Sequence, residues 1–112
     1  MTINEFQQKT HHWIQTYGKR YFNETTNTLV LVEEVGEFAR LVARKYGEQS
    51  FKNAEDESIV DALLKEELGD ILFVCCCLAN QMNMDLEEVI QNNFQKKTAR
   101  DSTRHIENKK LL

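Results

Sequence analysis

The chain has 112 residues, 18 of them acidic and 14 basic, and a formal net charge of −4. This length is typical of one domain and no Pro- or Ser-rich stretch divides it, so we predict a single domain over residues 1–112. The acidic balance argues against a nucleic-acid polymer as partner, because general binding to phosphates requires excess positive charge. The chain also lacks a run of about eighteen apolar residues, which argues against a membrane span.

The absence of proline, the small number of glycines and the three-to-four spacing of apolar positions predict an all-α fold with four helices. We expect the first helix from about Ile3 to Tyr17, with Gly18 as its C-terminal stop. Thr25 is a candidate N-cap for the second helix, which is expected to end at Tyr46 before Gly47.

The segment 48–57 is too polar for a core helix and is expected to form a loop or a short mobile helix. The third helix is predicted from about Ser58 to Gln81, preceded by the acidic residues 55–57, which its N-terminal dipole favours. Asp85 followed by Glu88 matches a capping box, so a fourth helix starts there, and we expect it to fray beyond about Asp101.

The three cysteines are consecutive, Cys75 to Cys77, within an apolar stretch. On a helix their side chains point in different directions, so they cannot share one metal ion. Neighbouring cysteines are poor disulfide partners, and an odd number without framework spacing fits a reducing compartment. We therefore expect buried thiols. Since no long apolar run follows a basic N-terminus, we also expect a cytoplasmic location.

Four acidic residues lie on or beside the apolar faces of the second and third predicted helices. Glu34 and Glu37 are spaced by one helical turn, about 60° apart around the axis, and Glu67 and Asp70 repeat that spacing. Burying carboxylates together costs several kcal/mol each unless a cation compensates them. Mg²⁺ and Mn²⁺ prefer oxygen ligands, so we predict a divalent-metal site formed by all four residues.

A glycine precedes the last acid of each pair, giving Glu33-Glu34-Val35-Gly36-Glu37 and Glu66-Glu67-Leu68-Gly69-Asp70. Glycine inside a helix costs roughly 1 kcal/mol relative to alanine, so two matched glycines predict close approach by another helix or by a ligand. One such acidic pair alone would be an ordinary solvated helix face. The absence of histidine at i+3 or i+4 argues against zinc or a di-iron centre.

These two segments resemble the metal-binding motifs of the MazG-type all-α nucleotide pyrophosphohydrolases, and the resemblance covers most of the chain. The length and the aromatic first helix are most similar to the small dCTP-pyrophosphatase-like branch. The resemblance implies a four-helix bundle completed by dimer or tetramer formation. It also implies Mg²⁺-dependent hydrolysis of a nucleoside triphosphate to the monophosphate and pyrophosphate, with Glu34, Glu37, Glu67 and Asp70 as metal ligands and catalytic residues.

Substrate contacts beyond the metal are expected from two regions. Lys97 and Arg100 lie on one face of the fourth helix, and because family members carry similar late basic residues, we expect them to contact phosphates. The alternative is a solvated helix end, where the dipole favours basic residues. Among the aromatic residues ahead of the first acidic motif, Trp13 and Phe22 are the leading candidates for stacking on the nucleobase, and packing in the core is the alternative role for them. Two alternatives remain open: a phosphoribosyl-ATP pyrophosphatase, which shares the acidic pattern, and a non-catalytic helical protein that binds a structural metal or a partner.

Overall fold

The computed structural model describes residues 1–112 and contains helices and no strand, which confirms the all-α prediction. Four long helices and one short helix are joined by turns. In chain order they are α1 (Ile3–Trp13), a π-helical turn (Ile14–Gly18), α2 (Glu24–Tyr46), α3 (Ala54–Ser58), α4 (Val60–Gln81), α5 (Leu86–Ile106) and a terminal 3-10 turn (Lys109–Leu111).

The start of α2 differs from the prediction. Asn23, and not Thr25, is the N-cap, and its side-chain oxygen accepts a hydrogen bond of 2.8 Å from the Thr26 N–H. Asparagine is a stronger N-cap than threonine, and its extended backbone allows its side chain to reach that amide. The predicted end is confirmed, since α2 ends at Tyr46 and Gly47 is its C-cap. A larger residue would not fit at Gly47, because a Cβ added there would lie 2.5 Å from the Ala43 carbonyl oxygen.

The polar segment after α2 contains a short helix, as one of the two expectations had it. The Asn53 side chain caps α3 by accepting a hydrogen bond of 2.7 Å from the Asp56 N–H. The acidic residues Glu55, Asp56 and Glu57 therefore occupy the first turn of α3, so the dipole that they meet is that of α3 and not that of the following long helix. The next long helix, α4, begins at Val60.

Helix α5 starts where the sequence predicts and extends further. The Asp85 side chain accepts a hydrogen bond of 3.0 Å from the Glu87 N–H, so it is the N-cap. The helix continues past Asp101 to Ile106. Asp101 is buried and pairs with Arg100 at 2.9 Å and Arg104 at 3.6 Å. These pairs neutralise the carboxylate within the region where fraying was expected.

The core is built around α4. Helix α2 packs along α4, α1 packs against α4, and α5 packs against α1. Helix α4 contributes most of the buried apolar side chains, namely Val60, Val74, Cys76, Cys77, Leu78 and Ala79. The expected buried thiols are therefore confirmed for Cys76 and Cys77, while Cys75 is half-buried. None of the helices combines the length and apolar character needed to cross a membrane.

A single chain does not close its helices around one compact core. The radius of gyration is 17.7 Å, whereas a compact domain of this length has about 13 Å. Only 11 of the 112 residues are buried. Residues 87–100 of α5 are all exposed, so this helix projects from the body formed by the other helices.

Replacing Leu41, which is 1% exposed on the α2 face toward the core, tests this packing. We expect Leu41→Ala to lower the free energy of unfolding by about 2–5 kcal/mol, because the lost methyl groups leave a cavity. Chemical denaturation at matched protein concentration measures the change. Leu112→Ala is the control, since Leu112 is 95% exposed, and a loss as large as that of Leu41→Ala would contradict the packing described.

Candidate metal centre and adjoining cavity

The packing of α2 against α4 brings acidic side chains from both helices together. Oxygen atoms of Glu34, Glu67 and Asp70 all lie within 4.8 Å of one another. Glu34 faces α4 because it shares a helical face with Leu41, which is two turns further along and buried. Asp70 follows Glu67 by one turn on α4, so both carboxylates reach the same point. Three of the four predicted metal ligands therefore converge.

The fourth predicted ligand, Glu37, lies beside this group and outside its 4.8 Å limit. Its carboxylate is partly exposed and pairs with Arg40 at 3.4 Å on the same helix. The negative charge of Glu37 still acts on Glu67 and raises its pKa. Glu37 is thus near the centre and currently held by a solvent-facing ion pair, a contact that is weak in water.

The electrostatics of the centre are those of an uncompensated acidic cluster. A hydrogen bond with Glu34 raises the pKa of Glu67 from 4.5 to about 7, with further contributions from burial and from the charges of Glu34, Asp70 and Glu37. Glu67 Oε2 is also buried without a hydrogen-bond partner. A sealed carboxylate oxygen with no donor is costly, and a hard divalent cation would satisfy it. The residues present therefore fit a bound Mg²⁺ or Mn²⁺.

The two matched glycines do not mark a close approach within one chain. A Cβ added at Gly36 or Gly69 would meet nothing within 4 Å. The expectation of close helix packing is therefore wrong for the single chain, because both glycines face away from the α2–α4 contact.

An apolar cavity of about 420 Å³ adjoins the acidic centre. Glu34 and Asp70 form part of its wall, so centre and cavity are continuous. The Trp13 and Phe73 rings meet edge to face across 5.5 Å. The lining residues are Trp13, Ile14, Gly18, Arg20, Tyr21, Phe22, Asn27, Val30, Glu34, Asp70, Phe73, Val74 and Cys77. Both residues predicted to contact a nucleobase, Trp13 and Phe22, lie in this wall.

Sequence reasoning missed two lining residues whose chemistry is relevant, Asn27 and Phe73. Asn27 lies seven residues before Glu34, so the two side chains share a helical face two turns apart. That spacing was readable from the sequence, but an asparagine near a helix start is ordinarily explained by capping. Phe73 follows Asp70 by three residues, and in the sequence it is one of several apolar residues before the cysteines.

The predicted phosphate ligands, Lys97 and Arg100, are not brought to the acidic centre within one chain. Both lie on the exposed part of α5 and neither lines the cavity. Arg100 forms two hydrogen bonds with Asp101, of 3.0 and 2.9 Å. A role in the same site would therefore require another copy of the chain to supply α5.

Fold and site together define an all-α protein with an acidic, metal-type centre beside a ligand-sized apolar cavity. Residues 22–105 match the model of the MazG nucleotide pyrophosphohydrolase domain. The chain is 37% identical over 103 residues to YpjD of Bacillus subtilis (strain 168). The aligned region covers 92% of this chain and 89% of that protein.

Two solved structures share the fold. The crystal structure of YpjD from Bacillus subtilis has a TM-score of 0.75 at 34% identity and covers 90% of this chain and 97% of that chain. The crystal structure of the Bacillus-conserved MazG protein, a nucleotide pyrophosphohydrolase, matches with a TM-score of 0.73 at 34% identity. The match covers 90% of this chain and 94% of that chain. The chain therefore belongs to the MazG nucleotide pyrophosphohydrolase family, and nucleotide pyrophosphate hydrolysis is its class of reaction.

The raised pKa of Glu67 predicts how the stability of the metal-free protein changes with pH. A carboxyl group whose pKa is higher in the folded chain contributes stability at low pH that is lost as the pH rises from 4.5 to about 7. We expect the melting temperature of the wild type, in a metal chelator, to fall over this range relative to Glu67→Gln. Thermal denaturation at a series of pH values measures the difference.

Glu66→Gln is the matched control, because it removes an exposed carboxylate next to Glu67 in sequence. Its melting temperature should follow that of the wild type across the same pH range. If the curves of wild type and Glu67→Gln run parallel instead, Glu67 does not titrate as its surroundings require.

Proposed function

We propose that this protein is a Mg²⁺-dependent nucleoside triphosphate pyrophosphohydrolase that releases pyrophosphate and leaves the monophosphate. The observation that carries the proposal is the convergence of Glu34, Glu67 and Asp70 at the wall of an apolar cavity. Such a site places a cation-binding group directly beside space for a base and sugar. This arrangement suits a substrate with one apolar, aromatic end and one highly charged end.

In this proposal Glu34, Glu37, Glu67 and Asp70 hold the metal, and Glu37 joins the other three when it leaves its exposed pair with Arg40. Mn²⁺ is expected to substitute, since it prefers the same oxygen ligands. Mg²⁺ held by these carboxylates would supply positive charge to the phosphate oxygens and would lower the pKa of an attacking water. The catalytic contribution of the four carboxylates is thus to hold the metal in position and to balance its positive charge.

The chain's own residues divide the remaining work. Glu67, with its pKa near 7, loses its proton when a cation binds, so metal affinity should rise with pH around neutrality. Trp13 and Phe22 provide the aromatic wall for the base. Three free cysteines are consistent with a reducing, cytoplasmic location for such an enzyme.

We further propose that the working form is a homodimer or homotetramer. The outer face of α2 exposes Leu29 and Val32, and the outer face of α4 exposes Leu68 and Leu72. These apolar residues flank Gly36 and Gly69, where a neighbouring helix has open space to approach. A second copy on this face would complete the bundle, and its projecting α5 would be the source of Lys97 and Arg100 for the substrate phosphates.

A pyrophosphate-release assay over common ribo- and deoxynucleoside triphosphates tests the activity. We expect release in Mg²⁺ and none in a metal chelator. Glu37→Gln and Asp70→Asn should lower kcat by at least about 100-fold, because each removes a charge that holds the metal. Circular dichroism should show that both variants keep their helices.

The matched control for these variants is Glu33→Gln, which removes an exposed carboxylate from the same motif and should retain most of the activity. Millimolar Mg²⁺ should raise the melting temperature of the wild type, since a ligand that binds only the folded state stabilises it. Asp70→Asn should lose most of this rise. No release from any nucleotide in the panel would contradict the proposed activity even if the metal binds.

The oligomeric state has its own test on the outer face of α2. Val32→Glu places a charge on a side chain that is 64% exposed in the single chain and is expected to be buried in the oligomer, so the variant should dissociate. Light scattering after size-exclusion chromatography measures the mass. Leu111→Glu, at a site 62% exposed in the terminal turn, is the control. An unchanged mass for Val32→Glu would place the interface elsewhere.

A further inference from the structure

The geometry points to Asn27 as the residue that reads the nucleobase: its side-chain carbonyl oxygen accepts a hydrogen bond from an exocyclic amino group. The cavity therefore selects nucleotides of cytosine and adenine over their deaminated, keto counterparts. This inference rests on the proposed function, since it takes the cavity beside the acidic centre as the place of the base.

Asn27 is placed for such a role. It lies two turns before Glu34 on the same face of α2, and both residues line the cavity. Asn27 is 6% exposed and is one of few buried polar residues in the chain. A base stacked against Trp13 with its phosphates toward Glu34 and Asp70 would present its polar edge within the same enclosure.

The orientation of the Asn27 amide is locked. Its Nδ2 donates to the Phe22 carbonyl oxygen at 3.3 Å and to Gln81 Oε1 at 2.7 Å, which uses both of its hydrogens. The Gln81 Nε2 also donates to the Phe22 carbonyl, at 2.8 Å. Since a carbonyl oxygen only accepts, both amides must turn their NH₂ groups toward Phe22, and neither can flip without losing these bonds.

This lock leaves the Asn27 Oδ1 as an open acceptor. It receives no hydrogen bond from the protein, whereas both hydrogens of Nδ2 are committed. Oδ1 also retains accessible surface, because the only sealed side-chain atoms without a partner are Arg44 Nε and Glu67 Oε2. A buried asparagine with one free acceptor at a cavity wall is satisfied by a ligand that donates.

An acceptor that cannot become a donor discriminates between amino and keto groups. A free asparagine amide pairs with either, by donating with its NH₂ or accepting with its oxygen. Here the NH₂ is unavailable, so a keto oxygen opposite Oδ1 would set two acceptors against each other without a proton between them. Leaving buried polar groups unpaired in this way lowers kcat/KM for the keto base by about 10- to 100-fold relative to the amino base.

Two pairs of nucleotides that differ by deamination test the inference. We expect kcat/KM for dCTP to exceed that for dUTP, and kcat/KM for dATP to exceed that for dITP, each by about 10- to 100-fold. Within each pair the sugar, the phosphates and the ring size are the same, and the difference is confined to the polar edge of the base, where the amino group becomes a keto oxygen and the neighbouring ring nitrogen gains a hydrogen. A ratio near one, or a preference for the keto base, overturns the inference while pyrophosphate release keeps the proposed function.

Variants separate reading of the base from a structural role. Asn27→Leu removes the acceptor and should bring both ratios close to one. Gln81→Leu removes one partner of the Asn27 NH₂ and so weakens the lock on the amide. The amide can then flip to donate to a keto oxygen, so the ratios should fall although the substituted residue does not touch the base. Thr28→Val, at the exposed neighbouring position, should keep them. If Asn27→Leu lowers activity on all four nucleotides equally and keeps the ratios, Asn27 is structural and the inference fails.

Binding of the monophosphates dCMP and dUMP, measured by calorimetry, gives a readout independent of catalysis. A preference for dCMP that Asn27→Leu abolishes supports the inference even where no triphosphate is hydrolysed, and in that case only the proposed reaction is lost. Equal binding of the two monophosphates, together with equal hydrolysis of the triphosphates, overturns the inference alone.

Discussion

The contact between Glu34 of α2 and Glu67 of α4 is the constraint on which the site depends. Two carboxyl groups meet in the middle of an otherwise apolar helix pair and can do so only by sharing a proton or by binding a cation. Apolar side chains at these positions would pack with less cost. The helix pair therefore gives up stability at this point, and the raised pKa of Glu67 is the measure of that cost.

One face of α2 organises what surrounds this contact. Asn27, Glu34 and Leu41 follow one another at intervals of seven residues, so they lie in a line along the helix. The first lines the cavity, the second joins cavity and acidic centre, and the third is buried in the core. A locked amide, a carboxylate and a packed leucine are thus held in fixed relative positions by one rigid element, which suits a site that must align a base with its phosphates.

The sequence predicted what depends on local chemistry and failed where distant segments meet. Gly47 and Asp85 mark helix boundaries through their own sterics and hydrogen bonds, and the one-turn spacing of the acidic residues predicts that they converge. The cap at Asn23 was missed because several capping residues stand together before α2. The cavity was not predictable in detail, since its wall combines the end of α1, the start of α2 and the middle of α4. The orientation of the Asn27 amide could not be predicted either, because it is fixed by hydrogen bonds to Phe22 and Gln81.

Three features of the single chain would share one explanation in the oligomer proposed above. The helices leave a radius of gyration of 17.7 Å and few buried residues. Gly36 and Gly69 keep open space on the outer faces of α2 and α4, although glycine weakens both helices. Helix α5 holds Lys97 and Arg100 away from the acidic centre of its own chain. A neighbouring chain packed on the glycine faces would bury the exposed apolar residues, give the glycines a steric purpose and let α5 reach a site that carries too much negative charge to bind phosphates unaided.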